Sequence, residues 1–110
     1  MSYVDIYTLP VPQDALDDYR AQASAFGAAV VRHGAQRYRE FALDEPGDNI
    51  TAEAGLVPTV AVAEFASKEQ RDTVMAGVMD DPEVKAMTGA EALADMSRMA
   101  FGGYTVLVDE

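Results

Sequence analysis

Alternating side chains at the start of the chain predict a first β-strand over residues 3–9. The even positions share one face and carry β-branched side chains, namely Val4, Ile6 and Thr8. The odd positions form the other face, which consists of Tyr3, Asp5, Tyr7 and Leu9. Pro10 and Pro12 are expected to end this strand, because a proline cannot donate a backbone hydrogen bond.

A spacing of three and four residues between apolar positions predicts a long amphipathic helix from Gln13 to His33. Gly27 lies inside this helix, where it indicates a close packing contact. Gly34 stands where a helix commonly ends in a residue with positive φ. Arg32 and His33 fall in the last turn, where positive charge is favoured by the helix dipole.

Three further strands are predicted after this helix. The mixed pattern of residues 36–43 is typical of an edge strand, and a turn-rich loop follows at 44–58. The apolar run 59–66 indicates a central strand. A last strand is predicted over 98–108, with Gly102 and Gly103 as the sign of a bulge or a close backbone approach.

A second helix is predicted to begin at Ser67, because Ser67 and Gln70 have the spacing of a capping box. Asp81 and Pro82 predict a short further helical turn, and another helical piece is expected to run through Leu93. The order of elements is therefore β-α-β-β-α-β, which is the ferredoxin-like α+β arrangement with a four-stranded antiparallel sheet in strand order 4-1-3-2 and helices on one face. No linker divides the chain, so residues 1–110 are interpreted as one domain.

Charge and composition exclude several classes of function. The net charge of −11 disfavours nucleic acid and anionic membrane surfaces as partners. The absence of cysteine excludes disulfides and thiolate sites, and no uncharged stretch approaches a membrane span. We therefore expect a cytoplasmic protein. A chain of 110 residues buries a small core, so a homodimer that hides further apolar surface is also expected.

Several short motifs, in order and spacing, resemble the YbaA-like bacterial family of unknown function, in the dimeric α+β barrel superfamily. They are Tyr3-Val4-Asp5, Leu9-Pro10-Val11-Pro12, Tyr19-Arg20, His33-Gly34-Ala35, Tyr38-Arg39-Glu40, Arg71-Asp72, Val78-Met79, Asp81-Pro82, Arg98-Met99 and Gly102-Gly103. The resemblance implies a dimer in which two four-stranded sheets face each other. It implies no particular reaction.

Asp5 and His33 are the candidate catalytic residues. If Val4 and Ile6 pack under the helices, Asp5 faces the space between the two sheets of a dimer, where it is either a proton-transfer group or the partner of an arginine such as Arg37 or Arg39. Histidine changes charge near neutral pH and suits a general base, but its position before Gly34 is also explained by the helix end alone.

The candidate ligand-binding residues are Tyr7, Arg39, Arg71 and Tyr104. A single histidine and no cysteine argue against a metal site, and no phosphate-binding loop or nucleotide motif indicates a cofactor. The methionines at 75, 79, 87, 96 and 99 are interpreted as adaptable core filling.

Two functions remain open at this point. The first is a small-molecule site between sheet and helices of a homodimer, with cofactor-independent oxygenase or isomerase activity by analogy with the superfamily. The second is a non-catalytic ligand-binding or self-associating module. A cavity lined by Asp5, Tyr7 and His33 would favour the enzyme, and a filled space between the sheets would favour the module.

Overall fold

The computed structural model describes residues 2–87 and 93–110. Its centre is a four-stranded antiparallel sheet in the order β2-β3-β1-β4. The strands are β1 (Tyr3–Pro12), β2 (Arg37–Ala42), β3 (Leu56–Phe65) and β4 (Ala100–Thr105). The predicted strand order is confirmed, with the second strand at an edge and the third in the interior of the sheet.

The helices follow the predicted pattern. They are α1 (Leu16–Arg32), which continues a short turn at Gln13–Ala15, α2 (Lys68–Asp80) and α3 (Pro82–Lys85). Ser67 accepts a hydrogen bond from the Gln70 amide at 3.0 Å, so the predicted cap of α2 is confirmed. Gly34 ends α1 with a φ of 125°, as predicted. The expected helical piece before Leu93 falls on residues 88–92, which lie outside the described residues.

The prediction that prolines end β1 is wrong for Pro10, since the strand continues past it and ends at Pro12. Pro10 lies directly opposite Pro58, and β3 correspondingly begins at Leu56, three residues before its predicted start. β4 pairs only with residues Tyr3 to Thr8 of β1. No strand therefore pairs with β1 at Pro10 on the β4 side, and no backbone hydrogen bond is required of its nitrogen there. A proline costs a strand nothing where its nitrogen has no acceptor opposite it.

The last strand is shorter than predicted and contains no bulge. Ala100 to Thr105 pair one to one with β1, and Arg98 belongs to a separate helical turn at Met96–Arg98. The close approach expected at the two glycines is confirmed at Gly103, because a Cβ atom there would collide with the Tyr3 side chain. Glycine at this position therefore serves side-chain packing.

The two faces of the sheet are reversed relative to our expectation. Asp5 and Tyr7 lie opposite Ala63 and Ala61, and Ala63 packs in the core with the helix residue Val74. Asp5 and Tyr7 therefore lie under the helices. The face that the helices leave uncovered, called the open face below, carries Val4, Ile6, Val60, Val62, Phe41 and Tyr104.

Replacement of Gly27 by alanine is expected to lower the free energy of unfolding by about 1–3 kcal/mol, because the new methyl group would overlap the ring of Tyr38. This overlap outweighs the gain in helix propensity, which is at most about 1 kcal/mol. Urea denaturation measures the change. Gly47→Ala is the control, because nothing lies within 4 Å of a Cβ at Gly47. Equal stability of the two variants would contradict the packing argument.

Candidate functional site

A cavity of about 730 Å³ lies between the sheet and the helices. It separates two parts of the core, one around Phe65 and Val78 and the other around Leu9 and Val11. Its size falls in the range of small-molecule binding sites. The core of this fold is thus divided by a space that the side chains of residues 2–87 and 93–110 leave unfilled.

Most of the cavity wall is apolar and adaptable. Five of the six methionines of the chain line it, so the predicted core filling is in fact the wall of the cavity: Met75, Met79, Met87, Met96 and Met99. Phe101 stacks on Tyr7 with ring centroids 4.9 Å apart. Flexible thioether side chains adjust to ligands of different shape, so the wall suits an apolar molecule.

Asp5 is the buried charge of this cavity. Its side chain is 1% exposed, and its Oδ1 accepts a hydrogen bond from Arg71 Nη1 at 2.6 Å. The other oxygen, Oδ2, is enclosed and accepts no hydrogen bond from any described residue. A buried carboxylate oxygen without a donor costs free energy, because its capacity to accept a hydrogen bond is unused.

Arg71 is held in place from three sides. It donates to Asp72 at 2.8 Å as well as to Asp5, and its guanidinium lies 4.9 Å from the centre of the Tyr3 ring. Tyr3 in turn packs against the bare backbone of Gly103. The expected partners of Asp5, Arg37 and Arg39, are replaced by Arg71 because Asp5 faces the helices and not the open face.

Burial raises the pKa of the Asp5 carboxyl above its ordinary value of 3.8, and the charge of Arg71 opposes this effect without reversing it. Burial and the negative charge of Asp5 raise the pKa of Tyr7 to about 12. The nearby Tyr7 hydroxyl also lowers the pKa of Asp5. Tyr7 is therefore a protonated donor beside a carboxylate.

A second polar group in the cavity was missed by the sequence analysis. The two oxygens of Glu40 accept hydrogen bonds from Tyr19 and Tyr38, both at 2.6 Å. Burial, and then Glu40, raise the pKa of both tyrosines well above the ordinary value. The spacing of Tyr38 and Glu40 on one strand is a signal that they share a face, but nothing local indicates Tyr19 as the third member.

His33 does not line this cavity, so the structure does not bring it together with Asp5. It follows the last residue of α1, and its Nε2 lies 2.7 Å from Oδ2 of Asp81. Arg32 donates to the same oxygen at 2.8 Å, and Asp81 also caps α3. This geometry supports the helix-end interpretation of His33, in which it joins α1 to the start of α3.

Asp81→Asn is expected to lower the melting temperature at pH 7, because His33, then Arg32, hold the pKa of Asp81 well below its ordinary value. A lowered pKa in the folded state stabilises the fold above the unfolded pKa of about 3.9, and this contribution is lost as the pH falls through the folded pKa. The melting curves of the variant and the parent should therefore converge in acid. A gap that persists unchanged at pH 2 would contradict this origin.

Two other candidates lie on the open face. Arg39 is opposite Val62 and its nearest acidic contact is Glu64 at 3.8 Å. Tyr104 is opposite Val4, because without a bulge the alternation of β4 turns it away from Asp5. Arg39 and Tyr104 therefore cannot share one site with Asp5 and Tyr7, whereas Arg71 does.

Two classes of feature are absent from the described residues. Within residues 2–87 and 93–110, no group of three or more histidine or acidic side chains is placed to hold a metal ion. In the same ranges, no helix has the length and apolar composition needed to cross a bilayer.

Two solved structures share this fold over nearly the whole chain. A mutant of SnoaB, a cofactor-independent oxygenase from Streptomyces nogalater, matches with a TM-score of 0.67 and 16% identity, covering 98% of this chain and 95% of that one. An uncharacterized NIPSNAP domain protein from Burkholderia xenovorans matches with a TM-score of 0.68 and 13% identity, covering 98% and 99% of the two chains. At these identities the similarity establishes the fold alone.

Sequence comparison gives a closer relation. The uncharacterized protein YbaA of Escherichia coli is 33% identical over an alignment of 118 positions, which covers 100% of both chains. The family model described as a protein of unknown function (DUF1428) matches residues 2–97. The resemblance to YbaA-like proteins in the sequence analysis is confirmed. Since both matches extend over most of the chain, the protein belongs to the DUF1428 family.

Proposed function

We propose that this protein is a cytoplasmic enzyme that binds a small apolar molecule in the cavity and removes a proton from it with Asp5. The observation that carries this proposal is Asp5 itself, which lines an apolar cavity and whose enclosed Oδ2 has no hydrogen-bond donor among the described residues. A raised pKa makes the carboxylate a stronger base than an ordinary aspartate.

The neighbours of Asp5 fit the same chemistry. Tyr7 carries a hydroxyl that stays protonated, so it can donate a hydrogen bond to a ligand oxygen on which negative charge develops. Arg71 holds Asp5 in one orientation through Oδ1 and does not occupy Oδ2. The ligand suited to this arrangement carries an acidic C–H next to a carbonyl or phenol oxygen.

The deprotonated ligand can follow either of two courses. Return of the proton to another carbon gives an isomer. Transfer of the carbanion's electrons to O₂ forms a C–O bond, and the resulting peroxide takes up a proton. The shared fold of a cofactor-independent oxygenase supports the second course as an analogy only.

The proposal is tested with 2-tetralone, an apolar aromatic ketone with acidic C–H groups. We expect the purified protein to accelerate the exchange of its α-protons in D₂O, followed by NMR, and an oxygen electrode to distinguish oxygenation from exchange. Nile red fluorescence reports occupancy of the cavity in parallel. Dye binding without exchange of 2-tetralone or of related enolisable ketones would contradict the enzyme.

The second candidate is a non-catalytic binding module. The observation that favours it is the close Asp5–Arg71 pair at 2.6 Å, which gives the carboxylate a structural role that requires no reaction. Native mass spectrometry of the freshly purified protein tests this candidate, because a retained ligand that survives incubation unchanged indicates binding alone.

We also propose a homodimer formed through the open face. The centre of this face is apolar, with Ile6 and Val62 at opposed positions, and its β2 side carries Arg39 beside Glu64. A face that carries both charges can pair with its own copy across a two-fold axis. Apolar surface on an otherwise charged protein is typical of an interface.

Light scattering at micromolar concentration is expected to give the mass of a dimer. Val62→Arg should shift the mass to that of a monomer, because it introduces a charge at the centre of the open face. Ala76→Arg, on the exposed side of α2, is the matched control and should remain dimeric. A monomeric parent protein would contradict the proposed dimer.

A further inference from the structure

A second cavity, of about 670 Å³, lies between α1 and the edge strand β2. Three of the eight cationic residues of the chain line it, namely Arg20, Arg32 and Arg39. Among its described lining residues the one acidic side chain is Glu40, and both oxygens of Glu40 are already occupied by tyrosines. We call this cavity the arginine groove.

The floor of the arginine groove is apolar. It consists of small or aliphatic side chains of α1, such as Ala28 and Val31, together with Phe41 of β2. Val31 and Phe41 are both about half exposed, at 45% and 47%. In a protein with a net charge of −11, a cationic groove with an apolar floor is suited to a short segment that is apolar and acidic.

The segment that follows β4 has this composition. Val106, Leu107 and Val108 are followed by Asp109 and Glu110. The exposed fractions of Val106, Leu107 and Val108 are 37%, 95% and 69%, so the run is exposed throughout and most strongly at Leu107. Scattered exposed apolar residues are common on proteins, but a contiguous run marks an interaction surface.

We propose that residues 106–110 of one copy occupy the arginine groove of a second copy. The apolar side chains would cover the floor beside Ala28, and Asp109 and Glu110 would lie near Arg20 and Arg39. Both arginines are free to change partner, because their present acidic contacts are exposed or distant: Asp17 at 3.3 Å and Glu64 at 3.8 Å.

The same segment cannot fill the groove of its own chain. β4 and β2 are opposite edges of the sheet, three strand spacings or about 14 Å apart. Five extended residues span about 17 Å, so a segment that crossed the end of the sheet would have almost no length left to lie in the groove. In a two-fold dimer the exchange is reciprocal, and each groove receives the segment of the other copy.

This inference rests on the proposed homodimer, and cross-linking tests it separately. The chain contains no cysteine, so Ala28→Cys and Leu107→Cys are each made as single-cysteine proteins. One is labelled with ¹⁵N, the two are mixed and oxidised, and mass spectrometry identifies the linked peptides. Ala76→Cys, on α2, replaces Ala28→Cys in the control. We expect the yield of the 28–107 link between a labelled and an unlabelled chain to be at least tenfold higher than the yield of the 76–107 link.

A second set of variants tests the charges. Asp109→Lys with Glu110→Lys is expected to reduce the 28–107 link severalfold, and Arg20→Glu with Arg39→Glu on the other chain is expected to restore it. A sample that remains dimeric but gives no excess 28–107 link overturns the exchange and leaves the homodimer standing. A monomeric sample overturns both. If the yield of the 28–107 link is the same in all charge variants, the proposed role of the arginines is wrong.

Discussion

Arg71→Met is expected to lower the free energy of unfolding at pH 7 by about 3–5 kcal/mol, because it leaves the buried carboxylate of Asp5 without its partner. The arginine is itself only 15% exposed, so water replaces little of the lost interaction. Urea denaturation at several pH values measures the loss. Arg98→Met is the control, because the Arg98–Glu53 pair is about half exposed and solvent screening should make its loss much smaller.

The pH dependence of Arg71→Met identifies the cause. Without the positive charge, the pKa of Asp5 in the folded state rises further above its ordinary value of 3.8. The folded state then binds more protons than the unfolded state between these two pKa values, so the stability of the variant falls as the pH rises through this window. The deficit should therefore be smaller near pH 4 than at pH 7. A deficit that is independent of pH, or equal to that of Arg98→Met, would contradict an unpaired Asp5.

The hydrophobic pattern of the sequence was sufficient for the element order, since each helix and strand has its own period and its own start or stop residue. Ser67, Gly34 and Pro82 mark boundaries through local backbone chemistry, and all three are found where predicted. The family resemblance pointed to the same fold independently. The predicted end of β1 and the predicted start of β3 are wrong for the same reason. Pro10 is tolerated within β1 only because of the strands that flank it, and the local sequence does not show which strands these are.

The orientation of the sheet could not be derived in the same way. Alternation shows that Asp5 and Tyr7 share a face, but both faces of β1 carry apolar residues, so the pattern does not say which one the helices cover. We supposed that Val4 and Ile6 pack under the helices, and we therefore placed Asp5 in the space between the two sheets of a dimer. The partner that makes its burial tolerable, Arg71, lies 66 positions away, and no local pattern indicates such a contact.

The cavity likewise depends on distant parts of the chain. Methionines at helical spacing are compatible with a filled core or with the wall of a cavity, and only the packing of the elements distinguishes the two. Tyr19 and Glu40 belong to different elements and meet only in the fold. Residue types therefore identified Asp5, Tyr7 and Arg71 as candidates, whereas their common site required the structure.

Asp5→Asn is expected to slow α-proton exchange of 2-tetralone at least about 100-fold, the usual contribution of a general base. Asparagine keeps the shape of the side chain, and its amide oxygen can still accept the hydrogen bond from Arg71, so Nile red binding and the dimer should persist. In the parent protein the rate should rise with pH through the pKa of Asp5, above 3.8, because only the carboxylate accepts a proton. NMR in D₂O measures the exchange for both proteins.

Glu40→Gln is the matched control for Asp5→Asn, because it removes the same charge from the same cavity. Both oxygens of Glu40 already accept hydrogen bonds from tyrosines, so it has no free oxygen for a ligand proton, and its replacement should leave exchange within a fewfold of the parent. An equal loss in both variants would show that the exchange depends on the negative charge of the cavity and not on a base at Asp5. Unchanged exchange in Asp5→Asn, together with lowered stability, would reduce Asp5 to the structural partner of Arg71.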